Sequence, residues 1–244
     1  MKNYPIIRIA DVFKALEAGE HTHFGHGCNC RKQMHRDYGG GGVAAMVADW
    51  CPEAFEVDRM TSGDNRLGTY TSAVKKVESG NITVLNMYSQ YESGQAPLLT
   101  LAKGISNSLD KVKLLIDDNT KSLAIPAIGC GIAGGSISML VSTIQFHNIP
   151  NLYLYLHPDD TINILDLLYG KVIAKFEDGY GLIRVMREPQ QGRPLYRTMA
   201  VDKRFHSVED LLSFARSLYG SAVVNIPNLI LDVEYLSLTT TQEY

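Results

Sequence analysis

Residues able to do chemistry crowd into a few short stretches of this chain, each placed where an apolar run ends. The first holds Asp11, in Ile9-Ala10-Asp11-Val12. A carboxylate there could accept a hydrogen bond from the exocyclic amine of a nucleobase, or it could cap the helix that follows. The second is Gly27-Cys28-Asn29-Cys30, continued by Tyr38-Gly39-Gly40-Gly41-Gly42-Val43-Ala44-Ala45. Consecutive glycines carry an entropic cost on folding. Their backbone can approach an anion closely and aim N–H groups at it, beside the positive end of the next helix; a floppy surface loop is the alternative. The third is Ile125-Pro126-Ala127-Ile128-Gly129-Cys130-Gly131-Ile132-Ala133-Gly134-Gly135-Ser136, again a strand, a glycine-rich turn and a helix start. Two such turns at the carboxyl ends of strands, where open α/β sheets take their ligands, could clamp a diphosphate from both sides. Neither is a Rossmann fingerprint, since no glycine motif follows the first strand, nor a P-loop, since no Gly-Lys-Ser/Thr follows.

Proton-transfer groups lie in the same region. His26 and His35 flank Asn29 on either side, and imidazole titrates near neutral pH. Each has a plainer alternative: an internal strand histidine for His26, a solvated loop residue for His35. Asp37 is a carboxylate alternative in the same loop. His21, His23, His26, Cys28, Cys30 and His35 are dense enough to raise zinc, but no Cys-x-x-Cys pair is present and His23 and His26 fall on opposite strand faces. The expectation is therefore no metal and no cofactor.

The bulk numbers fit a soluble enzyme or binding module. The 244 residues can bury one good core and a smaller second unit, and 45% apolar with 20% charged content is ordinary for a globular protein. A net charge of −3, with no basic half on either side of His157-Pro158, gives no general attraction to nucleic acid or acidic membranes. No apolar run reads as a signal peptide or a membrane span, and the four cysteines show no disulfide-framework spacing. A cytoplasmic location with reduced thiols is expected.

Alternating patterns supply the elements that must position these groups. Strands are expected at Ile6–Ile9, Thr22–Cys28, Leu67–Val74, Ile82–Tyr88, Ser122–Ile128 and Leu152–Leu156. Helices are expected from Asp11 to Ala18, from Val43 to a stop at Cys51-Pro52, over Leu98 to Ile116, and after the cap Ser136. This alternation predicts an α/β sandwich of three layers over residues 1–158. Residues 159–244 read as a small α+β unit. It has a hairpin at Asp178-Gly179 between Val172–Phe176 and Leu182–Met186, and a strand at Leu195–Val201. A helix follows from the box Ser207-x-x-Asp210 to Gly220, then an extended Val223–Leu236 broken at Pro227.

Asp11, Cys28-Asn29 with Gly39 to Val43, Asn86-Met-Tyr-Ser-Gln90, and Pro126 to Gly135 follow one another in the order and spacing of macrodomains. The first 158 residues thus resemble that family. They are most similar to the branch of ADP-ribose-1″-phosphate phosphatases, with terminal ADP-ribose and DNA ADP-ribosyl glycohydrolases nearby. The resemblance implies an α/β/α fold with a mixed central sheet. It implies that Asp11 and Val12 read adenine and that Asn29 bonds the distal ribose. Gly40, Gly41, Gly42 and Val43 would line ribose and diphosphate, with Gln90 among the binding residues. Gly129, Cys130, Gly131, Ile132, Ala133 and Gly134 would wrap the other side, and Tyr155, Leu156 or His157 would pack on adenine or belong to the core. The chain departs from the family where many members place an aromatic, and the terminal-ADP-ribose glycohydrolases an acid, at Ala133. The lysine those enzymes carry is replaced by Ser89-Gln90-Tyr91. What the resemblance implies is a hydrolase acting on ADP-ribose-1″-phosphate or an ADP-ribosyl group, or else a non-catalytic binder. ADP-ribosylated protein or nucleic acid are its possible partners, no membrane is involved, and the C-terminal unit is free to dock another partner.

Overall fold

The computed structural model describes residues 3–61, 65–116, 120–157, 170–188, 195–200, 203–219 and 229–232. It divides into two compact units, residues 1–5 with 11–155, and residues 6–10 with 156–244. Among the described residues no helix is long and apolar enough to cross a membrane.

The first unit is a mixed sheet flanked by helices, as the sequence pattern predicts. Its strands are β2 (His23–Asn29), β3 (Tyr70–Val77), β4 (Gly80–Gln90), β5 (Leu123–Ile125) and β6 (Leu152–Leu156). They lie side by side in the order β3-β4-β2-β5-β6. β2 runs parallel to β4 and β5, and β5 to β6, whereas β3 is antiparallel to β4. β3 and β4 are joined by a tight hairpin in which Val77 pairs with Gly80. β5 is shorter than the expected Ser122–Ile128 run, because Pro126 has no N–H to donate to the ladder.

The helices are α1 (Val12–Glu17), α2 (Gly42–Trp50), α3 (Pro52–Met60), α4 (Leu98–Lys113) and α5 (Ile137–His147). The sequence pattern marks Cys51-Pro52 as a stop, yet proline there opens α3, where its fixed φ and missing N–H are harmless at the first helical position. An aromatic cluster of Phe13, Phe24 and Trp50, with ring centroids 5.5–6.1 Å apart, locks α1 and α2 onto β2. Leu101, Ile105, Leu109 and Val112 form the buried face of α4, the periodicity expected from sequence.

α4 and α5 are pinned together by a Ser–His–Asp relay. Ser106 Oγ lies 2.9 Å from His147 Nε2, and Asp110 Oδ1 lies 2.9 Å from His147 Nδ1. Lys113 Nζ also donates to the His147 carbonyl at 2.8 Å. The order resembles a hydrolytic triad, but Ser106 sits inside α4, where the neighbouring N–H groups are bonded along the helix and offer no oxyanion hole. It is a helix clamp.

In the second unit β1 (Ile6–Ile9) is parallel to β10 (Ile230–Asp232), which is parallel to β7 (Gly170–Phe176). β8 (Gly179–Glu188) and β9 (Leu195–Ala200) complete an antiparallel run from β7. A buried ion pair, Arg8 Nε to Asp232 Oδ2 at 3.0 Å, joins β1 to β10. The expected hairpin forms at Glu177-Asp178, and Ser207 opens α6 (Val208–Tyr219) by accepting from Asp210 N at 3.1 Å. The expected boundary after residue 158, the helix stop at Gly220 and the break at Pro227 lie outside the described residues.

Gly104 decides how closely α4 approaches β4. A β carbon there would sit 2.5 Å from the Ser89 carbonyl oxygen. Alanine would gain about 1 kcal/mol in helix propensity, but overpacking against a backbone atom costs about 1–3 kcal/mol. Gly104→Ala should therefore lower the urea midpoint, and a raised midpoint would contradict this packing.

Candidate functional site

The site grows from the carboxyl end of β2. Between Cys28 and Asn29 the register against β4 shifts, so that Asn29 faces Gln90. Such an irregularity re-aims the strand's last side chain. The Asn29 carboxamide then organises its own loop: Oδ1 accepts from Arg31 N at 2.9 Å and Gln33 N at 3.4 Å, and Nδ2 donates to the Gln33 carbonyl at 3.4 Å. The Cys30 N–H donates to the carbonyls of Gln90 and Tyr91, both at 3.0 Å, which ties this loop to the end of β4.

The loop closes through a short turn of 3-10 helix, Arg36–Tyr38, capped by His35, whose Nδ1 accepts from Asp37 N at 3.2 Å. Gly40 N then donates to the His35 carbonyl at 2.9 Å. A β carbon on Gly40 would lie 2.1 Å from the Met34 carbonyl oxygen, so only glycine fits. Gly42 has φ +57, the left-handed region that glycine adopts without strain. Gly41 stands at the N-cap of α2 without a side-chain cap, which leaves the first N–H groups of a nine-residue helix without a side-chain acceptor.

The second glycine turn is built by the same exclusion of side chains. A β carbon on Gly135 would lie 2.7 Å from the Gly129 carbonyl oxygen, and the Gly135 N–H donates to that same oxygen at 2.8 Å. Gly129 and Gly134 have φ +76 and +78. Ala133 is buried and its carbonyl accepts from Ala96 N at 3.1 Å, while Ile132 is 58% exposed. The two turns face each other: a β carbon on Gly41 would meet Ile132 Cδ1 at 3.1 Å. Ser93 Oγ, donating to the Gly39 carbonyl at 3.4 Å, bridges the first turn to the loop after β4.

Several expected site residues serve other ends. His26 is fully buried, with Nε2 2.8 Å from Asn86 Oδ1, and burial pushes its imidazole from the ordinary 6.5 down to about 4. It is a neutral core residue, not a proton carrier. Tyr155 is also core, its hydroxyl 2.7 Å from His21 Nε2 and its ring edge-on to His21, so it does not stack on a base. Gln90 Nε2 donates to the carbonyls of Glu92 and Gly94 and closes the loop after β4. Asp11 Oδ1 accepts from Phe13 N at 2.9 Å, capping α1, and Val12 is buried. Leu156 is buried, and His157 is exposed and groups with the second unit.

His35 stays partly open, with Nδ1 3.4 Å from Asp37 Oδ2, Nε2 3.5 Å from Asp49 Oδ1, and its ring 5.3 Å from that of Phe55. Burial pushes the thiols of Cys28, Cys30 and Cys51 up, so none is poised as a nucleophile. Among the described residues no three His, Cys, Asp or Glu side chains converge as a metal site.

Sequence reasoning missed what lies beneath the loop. His26, Asn86, Thr71, Tyr88, Asp58 and Arg66 form a continuous buried or part-buried polar chain. The one available signal was the pair of polar positions, Asn86 and Tyr88, alternating on an otherwise apolar strand.

The buried imidazole makes stability depend on pH. The folded value lies below the unfolded one, so the contribution is intact above pH 6.5 and is lost as pH falls toward about 4. The loss over that window is on the order of 3 kcal/mol. His26→Gln, which keeps an amide for Asn86, should flatten this limb when urea midpoints are compared at neutral and acid pH. An unchanged limb would place the titrating group elsewhere.

Comparison with known proteins bears on this arrangement. Residues 26–144 match the Macro domain family model, and no curated protein matches the chain. A protein of unknown function from Bacteroides thetaiotaomicron shares 19% identity over 63% of this chain and 98% of its own, with a TM-score of 0.50. The macrodomain of Mycobacterium tuberculosis DarG shares 19% identity over 62% of this chain and 97% of its own, with a TM-score of 0.47. Thermosipho africanus DarTG, solved in complex with ADP-ribose, shares 18% identity over 64% of this chain and 42% of its own, at a TM-score of 0.46. With the mixed sheet and the two glycine turns in place, the match identifies residues 26–144 as a Macro domain.

Proposed function

We propose that residues 1–158 bind ADP-ribose or a close derivative, with its diphosphate held between the Gly39–Gly42 and Gly129–Gly134 turns. The observation that carries this reading is the approach of the two turns, within a β carbon's contact of each other at Gly41 and Ile132. Uncapped N–H groups at the start of α2 suit an anion's oxygens, and the Macro domain match over residues 26–144 supports the same ligand. Asp11 caps α1 through Oδ1, which leaves Oδ2 to accept from the adenine amine. The Asn29 loop would meet the distal ribose.

The chemistry we assign is hydrolysis at the distal ribose, of ADP-ribose-1″-phosphate or of an ADP-ribosyl linkage. Glycine-turn amides would stabilise the charge that develops as water attacks. His35 is the proton carrier in this reading, held beside the exposed carboxylate of Asp37 at 3.4 Å. A second reading, binding without turnover, is favoured by the burial of His26 and by Ala133 standing where family members carry an aromatic or an acid.

Calorimetry with ADP-ribose tests binding, and release of phosphate from ADP-ribose-1″-phosphate, with ADP-ribosylated protein and DNA alongside, tests turnover. Gly41→Val should fill the gap to Ile132 and weaken ADP-ribose binding about tenfold or more. His35→Gln should slow turnover roughly 100-fold with little change in affinity. Binding with no turnover on any substrate selects the second reading, and absence of binding by the folded protein rejects both.

A further inference from the structure

The β2–α2 loop rests on a buried guanidinium. Arg66, between α3 and β3, is 4% exposed. Its Nη1 donates to Asp58 Oδ1 at 3.0 Å, to the Asp58 carbonyl at 3.3 Å and to the Tyr88 hydroxyl at 2.8 Å. The guanidinium also stacks over the Tyr88 ring, 4.3 Å from its centroid, and Tyr88 OH donates to Asp58 Oδ1 at 2.9 Å. This leaves Nη2, which donates to the Cys30 carbonyl at 2.6 Å. The Cys30 N–H is already bonded to the end of β4, so this one residue is gripped at both of its main-chain polar atoms. Asn29 is its neighbour.

The cluster is poorly explained as a stabilising device. Asp58 Oδ2 and Arg66 Nε are buried and have no hydrogen-bond partner among the described residues. Burying charges costs free energy unless every lone pair and proton is matched, and replacing such pairs by apolar groups is often neutral or better. What the guanidinium provides that an apolar group could not is direction. Its planar fork spans an anchor on α3 and β4 on one side and a loop carbonyl on the other, at fixed separation.

We propose that Arg66, oriented by Asp58 and Tyr88, is a positioning residue for the distal-ribose end of the nucleotide site: by holding the Cys30 carbonyl it fixes where Asn29 is presented. The inference rests on the ADP-ribose reading above. It also separates the two ends of the site. The glycine turns hold the diphosphate through their own backbone packing, whereas the Asn29 end depends on a side chain some 36 residues away in sequence.

Comparing ADP-ribose with ADP, which lacks the distal ribose, tests this by calorimetry on the full chain. Arg66→Lys keeps a charge beside Asp58 but loses the fork. It should weaken ADP-ribose by about tenfold, the worth of one hydrogen bond, and leave ADP within about twofold. Arg66→Met with Asp58→Asn removes both charges and should show the same selective loss with thermal stability maintained or raised. Tyr88→Phe, which keeps the ring and drops one anchor, should show a smaller loss in the same sense. Equal weakening of both ligands, or of neither, overturns the positioning role while leaving the ADP-ribose reading intact. Unfolding of all three variants would mark a fold determinant and overturn it likewise. A wild-type protein that binds neither ligand removes the reading beneath it.

Discussion

Backbone pressed directly on backbone is the constraint from which the site follows. At Gly40 and again at Gly135, the α carbon sits so near a carbonyl oxygen that no side chain can be accommodated. Each contact folds its turn back on itself, with the Gly40 N–H bonded to the His35 carbonyl and the Gly135 N–H to the Gly129 carbonyl. The sheet supports this by running β2 and β5 parallel, so that both lead toward the same edge, and the Phe13, Phe24 and Trp50 rings keep α1 and α2 from sliding along it. A ligand held by main-chain amides needs such rigidity, because an amide that swings loses the alignment on which its interaction depends.

Beneath this main-chain surface lies a contrasting layer of polar side chains. His26, Asn86, Thr71 and Tyr88 lie along β2, β3 and β4 on the face that α3 covers, where Asn86 also donates to the Ala54 carbonyl at 2.8 Å. In a low-dielectric interior these groups hold one another in place, and burial raises the Tyr88 phenol well above its ordinary value. Near neutral pH the Tyr88 phenol thus stays protonated and the His26 imidazole stays uncharged.

Much of the fold could be read from periodicity, because α4 and the buried strands declare their faces through repeating apolar positions. The glycine turns were also legible, since consecutive glycines after a strand have few other uses. What could not be read was anything set by partners distant in sequence. His26 looked like a base because its neighbours in sequence are ligand-loop residues; Asn86 and α3, which bury it, lie elsewhere in the chain. Tyr155 is claimed by His21 for the same reason. α3 was overlooked because proline was read only as a stop, although at the first helical position it is a start. Arg66 gave no local sign at all, its role being defined by Asp58, Tyr88 and Cys30 together.

The pairing of β1 with β10 joins two strands far apart in the sequence. Register such as Ile6 with Ile230 cannot be established until the long intervening segment has been made. Contacts of such long sequence separation form slowly, because a large loop must close before any ladder bond rewards it. During that delay Arg8 has no Asp232 to meet. A hydrated cation in the middle of an otherwise aliphatic tetrapeptide discourages the nascent strand from pairing with a foreign edge, and in the fold it is paired with Asp232.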